Sequence, residues 1–159
     1  FANISGAHFN PFVSLAMFLR KKITGKLLII YIPAQILGCL LGVMLANVFF
    51  EHNILELSTK NRDGFHIFLS EIIATFGLIF IIFATLKDGK ITIAASVATY
   101  IMAGYWFTSS TSFANPAVAI ARTFTDSFTG INYMNTPTYI LAEFLGALIA
   151  VFLIKKLIK

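Results

Sequence analysis

Two short stretches set 105 positions apart constrain this chain more than anything else in it: Ser5-Gly6-Ala7-His8-Phe9-Asn10-Pro11-Phe12-Val13 and Ser112-Phe113-Ala114-Asn115-Pro116-Ala117-Val118. With the asparagines superposed, both read Asn-Pro, any residue, Val, any residue, Leu or Ile, then Ala (Ala16 and Ala121). Asn before Pro is a helix start with a mechanism. The Asn side chain caps free backbone N–H groups, and Pro at the first helical position has no N–H to leave unpaired. Both starts sit inside a chain whose other residues suit lipid, where an unpaired helix end is very costly. Two buried helix starts require a structural reason.

The lipid reading comes from composition: 58% hydrophobic residues, 17 Phe and only 12% charged, which argues against a soluble domain of 159 residues. The net charge of +5 does not mark a nucleic-acid surface, because the basic residues sit at the ends of apolar segments. Cys39 is the single cysteine and lies in an apolar run, so it forms no internal disulfide and reads as a small buried hydrophobe. No Ser/His/Asp or Cys/His grouping, zinc-ligand spacing or phosphate-cradling Gly loop is present, and an enzyme is not expected. The chain opens at Phe1 without Met or a signal segment, which gives the expectation that the front of a longer protein precedes it.

Four stretches are long enough to cross a bilayer, which takes about 20 apolar residues. They cover 27–50, 67–86, 91–110 and 138–158. The Asn-Pro segments, 10–20 and 115–124, give about ten helical residues each, or roughly 15 Å. That is half a membrane. Arg20, Lys21, Lys22 and Lys26 precede the first span, Lys87 and Lys90 separate the second and third, and Lys155, Lys156 and Lys159 close the chain. With alternating spans all fall on one side, predicted to be cytoplasmic together with the C-terminus. The half-helices then enter from opposite faces and point their N-termini at each other.

The repeat runs on into the spans, where Ala34-Gln35-Ile36-Leu37-Gly38 aligns with Ala142-Glu143-Phe144-Leu145-Gly146. The first copy holds a half-helix and a span, and the second holds two spans, a half-helix and a span. Inverted repeats with helices broken at the midplane build membrane pathways. Two spans are therefore expected ahead of the first copy, with Phe1-Ala2-Asn3-Ile4 as the tail of the second; the first of them should carry a Glu-x-x-x-Thr-like motif matching Glu71.

These residues resemble the aquaporin and aquaglyceroporin (major intrinsic protein) family, whose signature is a pair of Asn-Pro-Ala boxes on opposed half-helices. In the family, Ser-Gly-x-His-x precedes the first box. Glu71 in Glu71-Ile72-Ile73-Ala74-Thr75-Phe76 and Gln35 in Ala34-Gln35-x-x-Gly38 are also similar to the family. The resemblance covers essentially the whole chain. It implies an all-α membrane protein in one domain, an aquaporin-like right-handed bundle with inverted repeats and two re-entrant half-helices, of whose six full spans four are present. It further implies a multi-pass protein of the plasma or inner cell membrane and a homotetramer. The lipid bilayer and small neutral solutes would be its partners, with no cofactor, metal or nucleic acid.

A pore follows physically from such an arrangement. Two facing helix N-termini, each about +0.5 charge, place roughly one positive charge at the midplane and oppose cations, as in aquaporin-type pores. Asn10 and Asn115 would cap the opposite helix loops and offer N–H donors to a passing hydroxyl. Carbonyls of the extended runs Gly6-Ala7-His8-Phe9 and Ser112-Phe113-Ala114 would supply acceptors, since irregular backbone at membrane depth is tolerated where it lines a cavity.

The departures from the family concern the outer filter. An Arg usually follows the second Asn-Pro-Ala, and here that position is Val118. The other filter positions are Ser112 or Phe113 from the re-entrant loop, and Ala103 or Gly104 from the third span. A wide, rather apolar outer mouth is expected. Asn-Pro-Ala-Val followed by Ile-Ala-Arg resembles a bacterial subgroup associated with arsenic-resistance operons, which passes arsenite and other uncharged solutes. Arg122, one turn beyond Val118, either partly restores the lost charge or serves helix-end packing or phosphate contact. Phe12 replaces Ala in the first box and either packs away from the pore or constricts it.

Glu71, an acid within an apolar span, is functional by default. It is expected to accept hydrogen bonds from the re-entrant loop after Asn115, with proton coupling as the alternative. Glu143 is either a loop anchor or a lumen-facing group. His8 should bond structural partners, while His52 and His66 belong to an exposed loop. Small residues at four-residue steps, Ala34, Gly38, Gly42 and Ala46, then Ala142, Gly146 and Ala150, allow close helix approach within one bundle or between chains. Two other functions remain at this stage: an ion- or proton-coupled transporter, which also uses inverted repeats, and a non-conducting structural relic.

Overall fold

Asn10 and Asn115 open the two short helices, α2 (Pro11–Leu19) and α6 (Pro116–Ala121), from extended backbone at φ −152° and −160°. Asn10 Oδ1 accepts the N–H groups of Phe12 and Val13 at 2.9 and 3.4 Å, and Asn115 Oδ1 accepts that of Ala117 at 3.1 Å. The α6 segment is shorter than the expected 115–124. Its α geometry ends at Ala121, and a 3-10 turn carries the chain over Arg122–Phe124. The Thr123 hydroxyl donates to Ile120 O at 2.7 Å across this junction, and 3-10 geometry commonly tightens a final turn.

The computed structural model describes residues 1–157, which are helical and loop-forming with no strand among them. Ile158, the last residue of the expected final span, and the basic residue Lys159 lie outside the described residues. A single turn, α1 (Ala2–Ser5), is closed by Gly6 in the left-handed region at φ 76°. The long helices are α3 (Gly25–Phe49), α4 (Phe65–Ala84), α5 (Lys90–Phe107) and α7 (Thr136–Leu157). Three of the four expected spans, α3, α4 and α7, are long and apolar enough to cross a membrane. α5 falls short of them. It has 18 residues, carries Lys90, Thr92, Ser96 and Thr99, and stops before residue 110 because Thr108, whose N–H and hydroxyl make the last bonds to Gly104 O, turns to extended backbone at ψ 138°.

Packing is centred on α4 and α7, which share the most extensive interface in the chain. Gly146 is the reason they can approach, since a Cβ there would lie 2.4 Å from the Ile72 carbonyl oxygen. Ala74, Leu78 and Ile82 of α4 and Ala147, Ala150 and Ile154 of α7 form a core with Val13, Ala16 and Met17 of α2. A smaller cluster joins Ile67, Phe113, Ala119, Ile131 and Tyr139. By contrast, α3 buries only Asn47 and α5 only Gly104.

The loop between α3 and α4, read from sequence as merely exposed, is a strap across the far end of α6. Ser58 N–H donates to Thr123 O at 2.9 Å, Asn132 N–H to Lys60 O at 2.8 Å, and Asn47 Nδ2 to Phe124 O at 2.9 Å. Asp126 closes the clasp by accepting from the Thr59 N–H at 2.8 Å and from its hydroxyl. The Thr59 backbone N–H is the chief reason its carboxyl stays below the usual aspartate value. The Thr59 hydroxyl, the Lys60 charge and the Ser58 hydroxyl add to this, and desolvation opposes it. Because the folded-state pKa lies below the unfolded one, this contribution is complete above the unfolded value and is lost as pH falls through the folded value. The Thr59 amide is therefore expected to lose hydrogen-exchange protection only in acid below the ordinary aspartate range. Asp126→Asn should abolish that pH step.

Candidate functional site

The two half-helices meet N-terminus to N-terminus through a reciprocal pair of hydrogen bonds. Asn10 Nδ2 donates to Ala114 O at 2.6 Å, and Asn115 Nδ2 donates to Phe9 O at 2.9 Å. Each asparagine therefore caps its own helix with its oxygen and holds the opposite loop with its nitrogen. Each Nδ2 also carries a second N–H, and both asparagines line the cavity described below.

The loops leading into the boxes are not the extended runs expected from sequence. Gly6, Ala7 and Phe9 have φ of 76°, 53° and 51°, and their repeat partners Thr111, Ser112 and Ala114 have 64°, 50° and 47°. Left-handed backbone at five non-glycine positions is strained and persists only where the surroundings fix it. The first loop is supported by Tyr31, whose hydroxyl donates to Ser5 O at 2.7 Å. His8 Nδ1 lies 3.0 Å from Ser14 Oγ, which also accepts from Gln35 Nε2 at 2.9 Å. The second loop is held by acids. Glu71 accepts from the N–H groups of Phe113 and Ala114 at 2.9 and 2.8 Å, and Glu143 accepts from that of Asn115 at 3.0 Å. The Glu71 bonds thus go to residues before Asn115, not after it, because the N–H groups after it are taken by the cap and the helix.

A cavity of about 1080 Å³ runs along these loops. Its lining includes Lys22, Lys87 and Lys90, the last bonding Asn3 Oδ1 through Nζ. Gly6, Ala7, His8, Phe9, Asn10, Ala114 and Asn115 also line it, as do Ser112, Phe113, Val118, Tyr105 and Arg122. Among the described residues no group of three or more His, Cys, Asp or Glu could hold a metal ion. The family profile described as Major intrinsic protein matches residues 1–154.

The chain belongs to the major intrinsic protein family. It is 44% identical over 156 residues to the Rhizobium meliloti (strain 1021) protein named aquaglyceroporin AqpS, covering 98% of this chain and 67% of that one. Against aquaporin-4 of Notomys alexis the identity is 30%, covering 94% of this chain and 48% of the relative. A probable aquaporin, TIP3-2 of Arabidopsis thaliana, is 28% identical over 98% of this chain and 60% of its own length. The chain thus spans between about half and two thirds of these relatives. Major intrinsic proteins are channels, not enzymes, and this chain is a multi-pass membrane protein of that class.

Within this major intrinsic protein the positions expected from sequence to form an outer filter separate. Gly104 is buried against the second loop, where a Cβ would lie 2.7 Å from Ser112 Oγ. Ala103 faces the other side of α5 and lines a separate depression with Ile81, Ala95 and Thr99. Ser112 and Phe113 both line the main cavity, and the buried Ser112 hydroxyl has no protein partner. Phe12 is absent from the lining; it packs in the core with its ring 5.8 Å from that of Phe144. Sequence reasoning missed Tyr105, whose hydroxyl pairs with Arg122. An aromatic at the end of a span carries no signal that distinguishes a pore wall from a lipid anchor. The Arg122 guanidinium stacks on the Phe113 ring at 4.2 Å, and that of Arg62, tethered to Phe128 O, lies 5.9 Å from the same ring.

Proposed function

We propose that this protein is a passive channel for small uncharged solutes, namely glycerol-like polyols, arsenite and water, with a wide outer filter in which Val118 stands where the family resemblance implies Arg. The observation that carries this reading is the reciprocal Asn10–Ala114 and Asn115–Phe9 bonding beside one continuous cavity. Loop carbonyls and the spare Nδ2 hydrogens provide acceptors and donors in sequence, so a hydroxylated solute exchanges its water for protein groups as it moves. The converging ends of α2 and α6 disfavour cations there. Val118 contributes only apolar surface, and Arg122, one turn outward, keeps a positive charge at the mouth while lying against Phe113 instead of across the opening. The 44% identity to a protein named an aquaglyceroporin supports the polyol reading.

The basic residues at the ends of the spans support a cytoplasmic face there, with the C-terminus on that side and the protein in the plasma or inner cell membrane. Two preceding spans would complete the wall beside α3 and α5, whose surfaces are largely exposed. Four copies would assemble through faces such as Gly38 and Gly42, where a Cβ would meet nothing within 4 Å. Proton-coupled transport gains no support, because Glu71 and Glu143 are committed to loop amides and do not line the cavity.

The test is solute uptake in proteoliposomes. Glycerol and arsenite should enter without dependence on a proton gradient. Val118→Arg should reduce their flux by about tenfold or more while water flux persists, an effect of roughly 1.4 kcal/mol on the barrier. Water flux with neither glycerol nor arsenite uptake by the unmodified protein would sink the reading.

A further inference from the structure

Glu71 on α4, directly before Ile72, and Glu143 on α7, about one helical turn before Gly146, are both 0% exposed and flank the tight contact of Gly146 with Ile72 and Phe76. Their surroundings are unequal. Glu71 receives the N–H groups of Phe113 and Ala114, one on each oxygen, and the Ser110 hydroxyl as well. Glu143 receives only the Asn115 N–H, on Oε1. Its Oε2 is buried and meets no N–H or O–H donor, yet the carboxyl faces that of Glu71 within hydrogen-bonding reach.

Two ionised carboxyls in contact and out of water are excluded on electrostatic grounds, so one of them is expected to be neutral. Neither has an ion-pair partner among the described residues. The charged and titratable groups around the pair are Arg122, Arg62, Tyr139 and Tyr100; both guanidinium groups lie over the Phe113 ring, and the Tyr100 hydroxyl donates to Ile73 O and Ala74 O of α4. An oxygen without a protein donor that faces a carboxylate is satisfied by a proton of its own. A carboxylate has about four lone-pair sites, and three donors plus one shared proton fill those of Glu71.

The repeat gives an independent indication of which acid is neutral. Gln35 occupies the position in the first copy that Glu143 occupies in the second, and there a neutral amide donates to Ser14 Oγ. We propose that Glu71 and Glu143 share one proton, with Glu143 the neutral acid donating through Oε2 to an ionised Glu71. The pair then acts as a single negative unit that positions the consecutive N–H groups of Phe113, Ala114 and Asn115. Glu143 is a positioning residue, acting on a passing solute only through the loop. This assignment does not depend on which solute is carried, or on whether any is.

Infrared spectroscopy of the protein in lipid at neutral pH tests it. The unmodified protein should show the deuterium-sensitive C=O stretch of one protonated carboxyl per chain, and Glu143→Gln should lose it. Glu143→Gln should keep its thermal stability, because the amide supplies both an acceptor for Asn115 and a donor for Glu71. Glu71→Gln should lower the folded-to-unfolded ratio by about tenfold or more, since its amide nitrogen would confront a backbone N–H. Absence of the band from the unmodified protein, or Glu143→Gln as damaging as Glu71→Gln, overturns the proposal. The band is read on the unmodified protein and Glu143→Gln alone, so it decides the matter even where Glu71→Gln does not fold.

Discussion

Asn10→Ala is expected to destabilise the protein by about 2–4 kcal/mol and to abolish solute flux. The lost cap of α2 accounts for about 1 kcal/mol, because the Phe12 and Val13 N–H groups lose their acceptor. The lost Nδ2 strands the buried Ala114 carbonyl, at a further cost of about 1–3 kcal/mol. The second loss also has a functional consequence. Ala114 lies at φ 47°, and without the cross-bond the loop has one reason fewer to hold that geometry. Thermal unfolding in detergent checks the first effect and proteoliposome uptake the second. Asn10→Asp separates them: it keeps the capping oxygen, removes the donor and places a negative charge between two helix N-termini.

Gly146→Ala is expected to cost about 3 kcal/mol, near the top of the usual range for overpacking. The new Cβ would lie 2.4 Å from Ile72 O, 3.0 Å from Phe76 N and 3.1 Å from Thr75 Cβ, and the first two atoms are helix backbone that cannot rotate away. Relief requires α4 and α7 to separate, which also draws Glu71 and Glu143 apart and loosens the second loop. The melting temperature should fall by several degrees, with loss of protection at the Phe113 and Ala114 amides. Gly42→Ala is the control. Its Cβ meets nothing within 4 Å, so the fold of the single chain should keep its stability within about 0.5 kcal/mol. A drop in assembly size in that variant would identify the Gly38–Gly42 face as a contact between copies.

Features governed by local chemistry could be read from the sequence alone. Asn-Pro specifies a capped helix start at any depth, so both boxes and their half-helices were legible, and the doubled motif with its 105-residue offset pointed to facing halves. Apolar run length located α3, α4 and α7 to within a few residues. A carboxyl in an apolar run had to have donors, so Glu71 stood out before its partners were known.

Only the tertiary structure decided matters that depend on which atoms meet. Ala7, Phe9, Ser112 and Ala114 carry no glycine signal; the left-handed backbone of Phe9 and Ala114 is held by hydrogen bonds from side chains far away in the chain, and that of Ala7 and Ser112 by the hydroxyls of Ser5 and Ser110. That Gly104 packs against Ser112 while Ala103 faces a separate depression, with neither lining the main cavity, depends on the rotation of α5 about its axis, which a weakly amphipathic helix does not encode. The strap over α6, the shortening of α6 at Ala121 and the arrangement of Tyr105, Phe113 and Arg122 come from contacts between segments far apart in the chain. Sequence determined that two helix ends must be buried and face each other, because an unpaired backbone in lipid leaves no alternative. The fold determined which donors and acceptors those ends present, because hydrogen bonds are satisfied by position in space and not by order along the chain.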